Sequence, residues 1–157
     1  MNEPVPTPTA PLDAPTVSVT LLGRDHAGVT ARLFEVVAPY DVEVIDVEQI
    51  VLRGRLVLAV LLTEPADRAA FERSVADVAS ELEMDHDVSY GQGDNRGRRR
   101  GRSHVTVLGA PLLPSQFSAV TAQIAAAGGN IDRIERMARY PVTAIDLSRL
   151  RRIADGQ

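Results

Sequence analysis

The chain repeats itself at a fixed offset of 86 positions. Val19-Thr20-x-Leu22-Gly23 returns as Val105-Thr106-x-Leu108-Gly109, Ile45-Asp46 as Ile131-Asp132, and Arg53 as Arg139. A fixed internal period constrains the fold more than any single segment does, because each copy must be one supersecondary unit of the same design. In 157 residues there is room for two small units. Units of that size bury little apolar surface alone, so packing between them or between chains is expected.

The first copy can be read segment by segment. Residues 1–15 carry Pro4, Pro6, Pro8, Pro11 and Pro15 without periodicity and read as a flexible tail. From residue 16 to 90 the pattern is ordered. Val17, Val19 and Leu21 alternate with Ser18 and Thr20, as a strand with one buried face does. A turn over Gly23–Gly28 leads into a helix with Val29, Leu33, Val36, Val37 and Tyr40 on one side. Val42–Arg53 is a second strand whose apolar phase shifts between Val44 and Ile45, the mark of a bulge.

Arg53-Gly54-Arg55 turns the chain into Leu56–Leu62, seven apolar residues in a row. A strand without alternation is expected to find apolar cover on both faces. Phe71, Val75, Val78, Ala79 and Leu82 fall at helical spacing within Ala66–Glu83, and Met84–Tyr90 reads as a last strand. The order β-α-β-β-α-β is the ferredoxin-like arrangement, an α+β fold.

Residues 91–102 form an Arg/Gly-rich linker, with Arg96–Arg102 expected to be a mobile hinge that folding does not need. Residues 103–157 are the second unit. Ser115 is the expected cap of a helix carrying Phe117, Val120 and Ile124 and ended by Gly128-Gly129. The counterpart of the first unit's last strand would fall beyond Gln157, so the second copy is incomplete at its C-terminal side. Either the chain is a fragment or another copy completes it. A homodimer or larger symmetric assembly is expected, with unit two against a neighbouring chain.

Composition closes several functional classes. There is no Cys, which removes disulfides, thiolate chemistry and Cys-based zinc sites and fits a reducing cytoplasm. All 17 basic residues are Arg, so Schiff-base and P-loop lysines are excluded. No apolar run reaches transmembrane length, and a net charge of −4 gives no general attraction to nucleic acid or anionic membrane. His26, His86 and His104 lie far apart without a metal-ligand pattern, so no metal is expected.

The segment that carries chemistry is Gly23-x-Asp25-x-x-Gly28-Val29-Thr30. It joins a strand to a helix, whose first N–H groups and positive dipole end suit a carboxylate or phosphate. Gly28 lets a ligand approach the backbone, and Asp25 can receive an ammonium group. The simpler alternative is that Asp25 caps the helix and Gly28 only makes the turn. In the second copy these two positions are Pro111 and Pro114, so the turn chemistry is not repeated.

Leu22–Thr30, Asn130-Ile131-Asp132 and Tyr140-Pro141-Val142-Thr143 together resemble ACT domains, with Val47-Glu48-Gln49 and Arg53-Gly54-Arg55-Leu56 also fitting. In particular they resemble the tandem ACT pair at the N-terminus of actinobacterial-type phosphoserine phosphatases. The resemblance implies ferredoxin-like units that bind a small amino acid such as serine or glycine and regulate an attached enzyme of serine biosynthesis. Carried over by position, Arg24, Asp25, His26, Ala27, Gly28 and Val29 take the loop role in unit one. Gly128, Gly129 and Asn130 take the helix-to-strand turn of unit two.

The family's catalytic D-x-D-x-[TV] motif and its magnesium belong to a domain with no counterpart here, so no cofactor and no catalytic residue are expected in this chain. Three alternatives stay open. One is a ligand-free oligomerisation module. Another is an RNA-binding module, although Val17–Leu22 and Leu56–Leu62 lack aromatics. The third is an acylphosphatase-like enzyme using Arg24, although the second strand has no Asn. On the amino-acid-binding reading, a bulky residue at Gly28 is expected to abolish binding and leave the fold intact.

Overall fold

The alternation of Val17, Val19 and Leu21 with polar neighbours becomes β1 (Pro15–Arg24) in the computed structural model, with those three residues fully buried. The structure describes residues 14–93, 103–131, 133–138, 143–148 and 151–152, divided into unit 1 (Met1–Asn95) and unit 2 (Arg96–Gln157). The expected tail up to residue 13 and the linker from residue 94 to 102 lie outside the described residues.

In unit 1 the chain continues through α1 (Val29–Val37), β2 (Val44–Leu52), β3 (Arg55–Thr63), α2 (Arg68–Glu81) and β4 (Asp85–Gln92). The strands form one antiparallel sheet in the order β2-β3-β1-β4. This is the ferredoxin-like order. β1 and β2 run parallel through α1, as β3 and β4 do through α2. Two crossovers of the same right-handed sense put both helices on one face of the sheet.

Beneath the helices lie Val17, Val19, Leu21, Leu56, Leu58, Val60 and Leu62 from the sheet. Val29, Leu33 and Val37 of α1 and Phe71, Val75, Val78 and Ala79 of α2 close over them. The Tyr40 ring stands edge-on to Phe71 with centroids 5.3 Å apart, and its hydroxyl donates to the Ala70 carbonyl at 2.9 Å. Asp67 caps α2 by accepting from the Ala70 N–H at 2.9 Å.

Three details set the sheet's register. Arg53 and Gly54 both take positive φ (47° and 75°), so a two-residue hairpin of the primed type joins β2 to β3. The phase shift near Val44 is a bulge, seen as a break in the β2–β3 pairing between Val44 and Asp46. It turns Val47, Gln49 and Val51 toward the helices and Asp46, Glu48, Ile50 and Leu52 to the opposite side. β4 continues past Tyr90 through Gly91 and Gln92, which pair with Thr16 and Pro15. The first residues assigned to the linker are therefore ladder residues, and the Gly93 N–H donates to Ala14 at 3.1 Å.

The expectation of apolar cover on both sides of β3 is not met within the unit. Leu56, Leu58, Val60 and Leu62 are buried, whereas Val57 is exposed and Ala59 and Leu61 are half-buried on the open face. Both helices are committed to the other side by the crossover rule.

Unit 2 contains β5 (Val105–Gly109), α3 (Pro114–Ala126), β6 (Gly129–Asn130), β7 (Arg133–Ala138), β8 (Thr143–Ser148) and β9 (Arg151–Arg152). The order β5-β8-β7 repeats β1-β3-β2, and β6 pairs with β9. Val19 faces Val60, while its counterpart Val105 faces Leu147, one residue beyond the position that a constant offset gives. The repeat thus slips by one residue by its third strand. Ser115 is not the cap of α3. Pro114 occupies the first helical position, with its φ already suited to it, and Leu113 is the cap residue. The Leu113 N–H donates to the Gln116 side chain at 3.0 Å. Phe117, Val120 and Ile124 are half-buried, and among the described residues Leu147 is this unit's fully buried side chain.

Two outcomes follow from the packing of unit 1. Phe71→Ala removes a fully buried ring at the α2–sheet contact and is expected to cost about 3–5 kcal/mol of stability, measured by urea denaturation. Tyr90 lies half-buried with the Arg68 guanidinium 4.3 Å over its ring. Burial, followed by the neighbouring Glu72, pushes its phenol up to about 12 from the usual 10. Between those pH values the unfolded chain loses a proton that the native chain keeps. Stability is therefore whole below pH ~10 and falls as pH rises through ~12, and Tyr90→Phe is expected to flatten that alkaline loss.

Candidate ligand-binding site

β1 ends where its partner β3 begins, at the cross-strand pair Arg24–Arg55, and the loop to α1 starts there. Arg24, Asp25, His26, Ala27 and Gly28 are all exposed. The loop is fixed at its first residue: the Asp25 N–H donates to the Gly54 carbonyl of the β2–β3 hairpin at 2.7 Å. Gly23, just before it, is held closely by the turn into β4. A Cβ there would sit 2.7 Å from Met84 Cγ.

Gly28 is the cap residue of α1, with φ 92° and ψ −2° in the left-handed region. No side chain caps this helix, whereas Asp67 caps α2. Asp25 therefore does not play the capping role of the simpler reading. The first turn of α1 is left to offer its backbone N–H groups outward, at the positive end of the helix. Val29 is 2% exposed and belongs to the core, so it can offer a ligand only its N–H.

Two contacts of this loop were not foreseen by sequence reasoning. The Thr30 hydroxyl donates to Gln49 Oε1 on β2 at 2.6 Å, tying the helix start to the edge strand. His26 Nε2 lies 3.4 Å from the Leu82 carbonyl after α2, within reach to donate when it carries the proton. Each residue belongs to a segment with visible pattern, but the pairings span 19 and 56 positions and leave no local signal.

Gly128, Gly129 and Asn130 lie together in unit 2, where α3 gives way to β6. Gly128 adopts φ 75° and donates its N–H to Ala125 at 2.9 Å. A Cβ on Gly129 would stand 2.9 Å from Ile124 Cγ2 and 3.0 Å from the Ile124 carbonyl oxygen. Both glycines thus have structural duties. Asn130 is exposed and pairs with Arg151 in the short β6–β9 ladder. The predicted residues accordingly fall into two sets, one in each unit. The loop before α3 lacks the left-handed glycine, since Leu113 is extended with φ −96°.

Comparison with known proteins agrees with this architecture. Models of the ACT domain match residues 16–89 and again residues 102–155. The chain belongs to the ACT-domain family. Along 87% of its length this ACT pair is 46% identical to a phosphoserine phosphatase of Streptomyces coelicolor. Along 84% it is 41% identical to the phosphoserine phosphatase SerB2 of Mycobacterium tuberculosis. It spans about a third of each of those relatives, 34% and 33%.

Among solved structures, a protein from Galdieria sulphuraria covers 86% of the chain, itself covered over 80%, with TM-score 0.67 at 18% identity. A candidate glycine cleavage system transcriptional repressor covers 85%, itself covered over 78%, with TM-score 0.64 at 13% identity. At these identities the likeness is one of fold. The two ACT domains keep the fold in common and differ at the loop that distinguishes the first.

The geometry also revises the expectation for a bulky residue at Gly28. An added Cβ meets nothing within 4 Å, but the left-handed backbone strains any L side chain, and a β-branched one most. Gly28→Ala is expected to lower stability by about 1–2 kcal/mol in thermal or urea unfolding. A loss of ligand binding on replacing Gly28 must therefore be judged against that loss of stability.

Proposed function

We propose that this tandem ACT module is an amino-acid sensor, with serine or glycine as the first ligand to examine, and the regulatory part of a phosphoserine phosphatase of serine biosynthesis. The observation that carries the reading is the start of α1: exposed, left uncapped by any side chain, and flanked by Asp25, Thr30 and Gln49. A ligand carboxylate suits the N–H groups and dipole of that helix end, and Asp25 suits the ammonium. The similarity to two phosphoserine phosphatases over most of the chain supports the enzyme link. The absence of Cys accords with a cytoplasmic setting. Among the described residues no helix is long and apolar enough to cross a membrane.

A ligand regulates only by binding one arrangement of the module better than another. Serine contacts that differ between two arrangements would supply the coupling, and magnesium would be needed only by a phosphatase domain. No group in this chain is assigned a catalytic step.

The test is a thermal-shift and calorimetric series over the amino acids with the chain and with Asp25→Asn. The Asp25 anchor to Gly54 is a backbone bond, so this variant keeps the fold. Serine or glycine at about 100 times its Kd is expected to stabilise the native chain by about 2.7 kcal/mol. Asp25→Asn is expected to weaken that binding about tenfold or more, as loss of a charged partner does. Equal shifts from every amino acid, or unchanged affinity in Asp25→Asn, would refute the placement.

A further inference from the structure

The chain as a whole carries a net charge of −4, yet three arginines crowd one end of the unit 1 sheet. Arg24 and Arg55 face each other directly across the β1–β3 ladder, with Leu52 opposite Arg55 on its other side. Arg53 lies in the hairpin itself, next to Gly54. All three are exposed. The bond from the Asp25 N–H to the Gly54 carbonyl holds the two backbones together at this point.

Such an arrangement works against the fold. Like charges placed directly opposite each other in an antiparallel pair are destabilising. Arg53 also adopts φ 47°, in a turn position that Asn, Asp or Gly would fill at less cost. Elsewhere in the unit, Arg32 is paired with Glu35 and Glu81, and Arg68 with Glu64. Among the described residues, Arg24, Arg53 and Arg55 hold no ion pair. The carboxylates that adjoin the cluster are Asp25, next in the loop, and Asp85, opposite Leu22 in the following row.

We propose that Arg24, Arg53 and Arg55 form a binding site for the phosphate group of a small phosphorylated molecule. An arginine fork matches two phosphate oxygens at once. A phosphate monoester carries about −1.5 to −2 charges at neutral pH. It therefore offsets two guanidinium groups, where a carboxylate offsets one. The start of α1, with no side-chain cap at Gly28, adds the positive end of a helix dipole at the far end of the loop.

The surroundings favour a small dianion over a polyanion. Single-stranded nucleic acid calls for a longer basic track with aromatic platforms. Here the row beyond the arginines is Ile50, Val57 and Leu22, closed by Asp85. A polynucleotide or an anionic membrane would also meet the chain's net negative charge. The arginine site does not depend on a free amino acid binding at α1.

Calorimetric titration of the whole chain with inorganic phosphate, O-phosphoserine and serine, at constant ionic strength, is the test. Both phosphate probes are expected to bind one per chain. The double variant Arg24→Gln with Arg55→Gln is expected to raise their dissociation constants about tenfold or more. It removes a like-charge pair, so its thermal unfolding is expected no lower than that of the parent. Arg53→Asn suits the left-handed turn and is a second, fold-preserving variant expected to weaken phosphate binding. Arg73→Gln, at an exposed position of α2, is expected to leave it unchanged. Phosphate bound through the arginines with no response to serine upholds the site and counts against the amino-acid reading alone. No binding of either phosphate probe at millimolar concentration would overturn the inference. So would unchanged affinity in the folded arginine variants, or an equal loss in Arg73→Gln.

Discussion

The antiparallel pairing of β1 with β3 organises unit 1. It sets Val17, Val19 and Leu21 beside Leu62, Val60 and Leu58 in one unbroken apolar field. Each such side chain contributes about 1.5–3 kcal/mol when taken out of water. That field is what the helices close over. It also decides where β1 ends, opposite the hairpin, and so where the loop before α1 can begin. The anchor from Asp25 to the Gly54 carbonyl is a direct consequence of this register, since the hairpin arrives beside the loop only when β3 runs alongside β1.

The contrast between the two helix starts of unit 1 connects the fold to its proposed role. α2 satisfies a donor of its first turn with Asp67, the ordinary solution for a helix that has only to be stable. α1 begins on a glycine in the left-handed region with no side-chain oxygen in attendance. The start of α1 thus presents an uncapped helix end with a carboxylate, a hydroxyl and an amide nearby, the feature on which the proposed ligand site rests. Unit 2 keeps the strand and the helix but starts the helix on a proline. The two ACT domains therefore share an architecture without sharing this loop.

Much of unit 1 was legible from local pattern. The core stripe of β1, the apolar faces of α1 and α2, the bulge near Val44 and the hairpin at Gly54 all announce themselves between near neighbours, where periodicity and turn chemistry act. The loop residues Arg24 to Gly28 were also legible as an exposed strand-to-helix turn. Less was legible at chain positions whose state depends on distant partners. Gly91 and Gln92 read as linker by composition, yet pairing with Thr16 and Pro15 makes them strand. Ser115 read as a cap, but the proline before it had already claimed the first helical position.

The sequence by itself determined the repeat, the order of strands and helices, and which side chains can form a core. These follow from spacing along the chain, because the two-residue and 3.6-residue periods fix which neighbours share a face. Only the tertiary structure decided that β3 keeps one bare face, that Thr30 reaches Gln49, and that His26 comes to the Leu82 carbonyl. The reason is the handedness of the crossovers. Both helices are sent to the same side, and the other side of the sheet is set by inter-strand register, which no stretch of neighbouring residues contains.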